Sequence, residues 1–122
     1  MDELVQWLRA QLDNDDRTAR AASSGWYGYN PTEQIAFVPP EDALHIATHS
    51  PARVLREIDA KRQIIDQFAY WNERAASEAV NPPKFPQPGL DLGLLLDAMN
   101  PVLRLLALPY ADRSGYREAW RP

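Results

Sequence analysis

The only two histidines of this chain stand one helical turn apart. His45 and His49 follow Glu41 at four-residue steps, so a helix through them would carry two imidazoles and a carboxylate on one face. Imidazoles at that spacing can chelate zinc or another divalent ion, with the carboxylate as a third ligand. The opposing reading is structural. No His-Glu-x-x-His pattern is present, and no other His or Cys remains to complete a site. Glu41 suits the first turn of a helix and His49 the last, where each complements the helix dipole. Nothing in the chain implies a cofactor.

Two further groups invite a binding reading. Arg53, Arg56, Lys61 and Arg62 form a basic patch that could meet nucleic acid. It lacks interleaved aromatic residues, and Glu57 and Asp59 interrupt it, so a solvated, ion-paired helix face explains it better. Trp26, Tyr27 and Tyr29, with Phe37 nearby, and the C-terminal Tyr110, Tyr116 and Trp120 could present stacking surfaces to a ligand or a protein. The plainer role for such residues is to anchor short segments to a helical core. Nucleophilic catalysis finds no support: there is no Cys, no Gly-x-Ser-x-Gly elbow, and no Gly-rich phosphate cradle. Asp13, Asp15 and Asp16 sit on a polar helix face and read as solvation rather than as an acid–base pair.

Composition narrows the field further. A chain of 122 residues has the length of a single domain. Its formal charge of -4 argues against wholesale phosphate neutralisation, and so against nucleic acid as a partner. Arg outnumbers Lys 11 to 2, which points to base composition of the genome more than to mechanism. The acidic start Met1-Asp2-Glu3-Leu4 is unlike a signal peptide. The apolar run Leu90 to Leu108 is broken by Asp91, Asp97, Asn100, Pro101 and Arg104, which counts against a membrane span. A cytoplasmic location is the expectation.

The elements that must position these residues follow from periodicity. Leu4, Val5, Leu8, Leu12 and Ala19, with Trp7 alongside, predict an amphipathic helix over 2–22. The pairs Asp13–Arg17 and Asp16–Arg20 brace its outer face, and Ser23-Ser24-Gly25 stops it. Residues 26–38, with Asn30-Pro31 as turn, read as a short β-hairpin insert. Glu41 to His49 is a short helix. Ser50-Pro51 supplies a cap and a first-turn proline for a long central helix from Pro51 to about Ser77. Its stripe is Val54, Leu55, Ile58, Ile65, Phe68 and Ala69, and Lys61 and Arg62 must lay their aliphatic stems over the gap. Residues 79–90 form a Pro-rich crossover. Leu90 to Met99 is a short apolar helix, and Asn100-Pro101 starts a second one that Pro109 ends or kinks. The tail turns at Ser114-Gly115 and docks as a short turn of helix. The expected fold is mainly α: one small helical domain over 1–122, with one long central helix and a short β-hairpin insert.

The run His45-Ile46-Ala47-Thr48-His49-Ser50-Pro51-Ala52-Arg53-Val54-Leu55, followed by Ala60-Lys61-Arg62, resembles the central signature of a family of short actinobacterial proteins of unknown function. So do Leu103-Arg104-Leu105-Leu106-Ala107-Leu108-Pro109-Tyr110-Ala111-Asp112, with Tyr116 and Trp120-Arg121-Pro122, and the start from Leu4 to Ala22. The resemblance covers most of the chain outside residues 78–100. Ser50 stands where Asp is usual, which keeps a cap. Arg113-Ser114 stands where a His-Pro pair is usual, and Ser23-Ser24-Gly25-Trp26 replaces a Thr-Pro-Gly-Pro-Trp turn. The layout of about residues 20–65 is also similar to small accessory proteins of the lambdoid phage early region. Neither resemblance carries a catalytic residue.

The expected function is that of an accessory protein working through contact with another protein or with itself, without catalysis. A homodimer through the long helix near Phe68 and Trp71 is one form of it. The alternative is a small metal-dependent or ligand-binding enzyme centred on His45 and His49.

Overall fold

A computed structural model of the chain describes residues 2–26, 39–85 and 87–122. Four α-helices account for most of them: α1 Asp2–Trp26, α2 Pro40–Thr48, α3 Pro51–Val80 and α4 Leu92–Ala107. Two single 3₁₀ turns follow, Leu108–Tyr110 and Glu118–Trp120. The expected mainly α class stands, but the β-hairpin insert does not. No strand occurs among the described residues, and Trp26 closes α1 instead of opening a strand. Ser23-Ser24-Gly25 lies inside the helix, so neither the serines nor one glycine outweighs the cooperativity of a 25-residue helix. Residues 27–38, the rest of that segment, lie outside the described residues.

The chain divides into two compact units, Met1–Arg9 with Lys61–Pro122, and Ala10–Ala60. Helices α1 and α3 each contribute a segment to both. In the first unit the buried side chains are Leu4 and Leu8 of α1, Ile65 and Phe68 of α3, Leu103 and Ala107 of α4, and Tyr110. In the second they are Gln11, Leu12 and Ala19 of α1, Ala43 of α2, and Pro51 and Ile58 of α3. Phe68 is only 2% exposed, so it belongs to the core of the first unit.

Capping chemistry sets most of the boundaries. Ser50 Oγ accepts a hydrogen bond from the Arg53 amide at 3.4 Å, and the Val54 amide donates to the Ser50 carbonyl, an N-terminal cap with Pro51 at the first position. Helix α3 then runs for 30 residues, about 45 Å, and ends just before Pro82-Pro83. Asp91 caps α4 through Oδ1, which accepts from the Leu94 amide at 3.1 Å.

Helix α4 differs from expectation at Pro101, which lies inside it and does not start a second helix. An internal proline removes one helical hydrogen bond and costs about 3 kcal/mol. Burial explains why the helix continues. Leu92, Leu96, Met99, Leu103 and Ala107 recur at steps of four, three, four and four, and all are buried or half-buried. One unbroken helix keeps that face in phase across the proline, whereas a break would turn half of it outward. Asn100 accepts a hydrogen bond from Arg104 Nε at 2.9 Å, an i, i+4 contact along the same helix.

Candidate functional site

Helix α2 does bring His45 and His49 together. Their ring centroids lie 4.3 Å apart, and His49 Nδ1 is 2.9 Å from the His45 carbonyl oxygen. That contact spends one nitrogen of His49 on its own helix. Glu41 does not join them as a third ligand, and no three His, Cys, Asp or Glu among the described residues form a group that could hold a metal. His49 lines a cleft of about 220 Å³ with Asp15, Thr18, Ala19, Ala22, Pro51 and Val54. Its walls are largely apolar, and its volume falls below the range usual for small-molecule sites.

The basic patch is largely taken up within the fold. Arg53 pairs with Glu57 at 3.1 Å and donates to the Thr48 carbonyl at 3.3 Å. Lys61 lays its ammonium 5.4 Å from the Tyr110 ring centroid and donates to Tyr110 Oη at 3.3 Å. On α1, Asp16 and Arg20 pair as expected, while Arg17 donates to Asn14.

Of the aromatic candidates, Trp26 ends α1, and Tyr27 and Tyr29 lie outside the described residues. Tyr110, Tyr116 and Trp120 converge on Trp7, a residue the sequence pattern left beside the helix stripe. Trp7 meets Tyr110 at 6.5 Å, Tyr116 at 5.7 Å and Trp120 at 5.5 Å between ring centroids, all edge-on or tilted. Its indole Nε1 donates to the Ser114 carbonyl at 3.0 Å. Gly115 has φ +87°, and a Cβ there would sit 2.7 Å from Trp7 Nε1, so only glycine fits the turn. Glu3 and Arg117 form an ion pair beside the cluster.

Cations cover the same rings. The Arg113 guanidinium lies 4.7 Å from the Tyr110 centroid, Arg117 5.5 Å from Trp120 and Arg121 5.9 Å from Tyr116, the range of cation–π attraction. Arg121 also donates twice to Glu118, at 2.8 and 3.0 Å. Those hydrogen bonds hold the Glu118 carboxyl below the usual carboxylate range and the guanidinium above its own. The tail arginines at steps of four were the available signal for this interleaving.

Large apolar side chains also lie open elsewhere in the first unit, at Ile64, Tyr70, Val80 and Phe85, but those of α4 form a strip along one helix face. Leu94 is 67% exposed and Leu105 55% exposed, with Val102 and Leu108 also open. Ala98 and Pro101 are exposed between them. Asp97, Asn100, Pro101, Arg104 and Pro122 line a notch of about 480 Å³ beside this strip. The run Leu92–Tyr110 is long and apolar enough to cross a membrane by length and composition. Against that, Asp97, Asn100, Pro101 and Arg104 interrupt it, and Leu103, Ala107 and Tyr110 are packed inside the protein.

Together these features define a small, mainly helical protein with an aromatic clasp near its C-terminus and an apolar strip on its last α-helix. The chain belongs to a family of unknown function (DUF6221), whose model matches residues 1–122. No curated protein and no solved structure matches it.

Proposed function

We propose that this protein is an accessory protein that works by contact with another protein chain, through the outer face of α4. The observation that carries this reading is the strip of Leu94, Ala98, Pro101, Val102, Leu105 and Leu108. A helix whose inner face is packed in a core is normally polar on its outer face, and contiguous exposed apolar surface marks a contact site more often than a chance of composition. An actinobacterial source, a phage-type ancestry and a cytoplasmic location are parts of this proposal, and the first two rest on sequence resemblance.

A photo-reactive benzoylphenylalanine in place of Leu105, with the same group at exposed Glu73 as control, tests the reading in the host cell. Illumination should yield covalent protein adducts from position 105 and none from 73, and Leu94→Asp should abolish them. Adducts to lipid alone, or no adduct at all, would overturn it.

A further inference from the structure

Resting on that reading, we infer that the occupant of the α4 face is a second copy of the same chain, packed antiparallel across the apolar strip. The inference comes from spacing and charge together. Leu94, Ala98, Pro101, Leu105 and Leu108 fall at steps of four, three, four and three, the alternation of a coiled-coil seam in which Leu94, Pro101 and Leu108 hold d positions and Ala98 and Leu105 hold a positions. The strip is nearly symmetric about Pro101, as an isologous contact requires, because each copy must present the same surface to the other. Ala98 and Pro101 are the small residues at its centre and the leucines flank them, so two such helices can approach closely in the middle.

The charges choose the direction. Asp97 and Arg104 both occupy the g edge of this seam, seven residues apart. No described residue forms an ion pair with the Asp97 carboxylate, and Arg104 spends its Nε on Asn100. When two helices pack antiparallel about a two-fold axis, like edges face each other with chain direction reversed. Asp97 of one copy then lies opposite Arg104 of the other, twice by symmetry, while Leu94 lies opposite Leu108. In a parallel pair the g edge would face the e edge, which is Leu95, Val102 and Pro109. Both charges would then be pressed against apolar side chains without a partner.

The seam from Leu94 to Leu108 is about 21 Å long on a helix about 10 Å wide. That footprint, about 200 Å² per copy, is well below a standard protein interface, so the dimer is expected to be weak, with a dissociation constant on the order of 100 µM. Charge complementarity of this kind also predicts weakening by salt.

Sedimentation equilibrium of the full chain, from about 1 µM to about 500 µM, reads the association directly. The expected result is a reversible dimer that Asp97→Arg or Arg104→Asp alone weakens about tenfold or more, because each reversal sets like charges face to face. The double reversal should restore it. Since the chain has no cysteine, Leu94→Cys with Leu108→Cys gives a second readout that does not depend on the charge variants folding. Oxidation should produce a covalent dimer from the double variant and none from either single one, whose own cysteines would lie about 21 Å apart across the seam. A strict monomer over the whole range, single reversals without effect, or a double reversal without rescue overturns the antiparallel seam. A pure chain that stays monomeric while position 105 captures a different protein in the cell removes self-pairing and leaves the contact surface standing. Failure of both measurements removes the surface as well.

Discussion

The C-terminal tail and the outer face of α4 make opposite use of apolar side chains. In the tail, Tyr110, Tyr116 and Trp120 are drawn onto Trp7 and covered by Arg113, Arg117 and Arg121. Those aromatics look like a surface awaiting a partner, yet their partners lie within the same unit. On α4, leucines that look like ordinary core residues are half to two-thirds exposed at positions 94 and 105. Residue type alone therefore does not decide the role in either place. What separates them is valence: an aromatic ring accepts edges, faces and cations from a short local segment, whereas an aliphatic side chain offers only apolar area to be covered.

The largest expected effect lies at the centre of the clasp. Trp7→Ala removes three ring contacts and the hydrogen bond to Ser114, and should cost about 3 kcal/mol with release of the tail. Chemical denaturation gives the energy, and amide exchange at residues 113–121 gives the release. An unchanged exchange pattern would mean that the tail is held by something other than Trp7. Gly115→Ala should cost about 2 kcal/mol, from the left-handed backbone and the 2.7 Å approach of its Cβ to Trp7 Nε1. A cost near zero would show that the turn can rearrange.

Helix α3 shows what sequence pattern reveals well. Ser50-Pro51 and the stripe through Ile58, Ile65 and Phe68 announce its start and its buried face, because caps and 3.6-residue periodicity are local signals. The docking of the tail as a turn of helix was legible too, whereas the meeting of the Lys61 ammonium with the Tyr110 ring was not. Pro101 was not, because proline marks a helix start and a helix interior by the same symbol. Only the phase of Leu92 to Ala107 across it decides, and phase depends on what the helix packs against. Trp7 was missed as the hub because its partners are more than a hundred residues away in sequence. Phe68 was legible as part of an apolar face, but periodicity shows that a face is apolar and not what covers it. Of the candidate site, the pairing of His45 with His49 could be read directly, and the exposed strip of α4 could not, because a helix apolar on both faces has no contrast to read.

A smaller effect sharpens the comparison from within the clasp. Tyr116 Oη is buried and has no hydrogen-bond partner among the described residues. An unsatisfied buried hydroxyl destabilises, so Tyr116→Phe should leave the protein as stable or raise its stability by up to about 1 kcal/mol. The ring contacts to Trp7 and Trp120 would persist. A loss of more than about 1 kcal/mol, read from denaturant midpoints, would show that the hydroxyl has a partner. On α4 the corresponding change, Leu105→Gln, should alter monomer stability by about 0.5 kcal/mol or less, as expected for a surface position. A loss of several kcal/mol would mean that Leu105 is part of the core and that the two regions do not differ after all.

The smallest effect concerns a titration at the rim of the clasp. Arg121 donates two hydrogen bonds to Glu118, and these bonds favour the ionised carboxylate, so its folded pKa is lowered. A carboxyl depressed on folding contributes stability above its unfolded pKa and loses that contribution as the pH falls through the folded value. The fork is exposed to solvent, so the consequence for melting is slight and the titration itself is the better measure. Carbon-detected NMR should place the Glu118 midpoint below that of an ordinary glutamate in the native chain. Arg121→Ala should move it back up, and Arg121→Lys should recover only part of the shift, because an ammonium cannot match the two-pronged guanidinium. A midpoint in the native chain that Arg121→Ala leaves unmoved would mean that the fork does not persist in solution and that Arg121 is held by the Tyr116 ring alone.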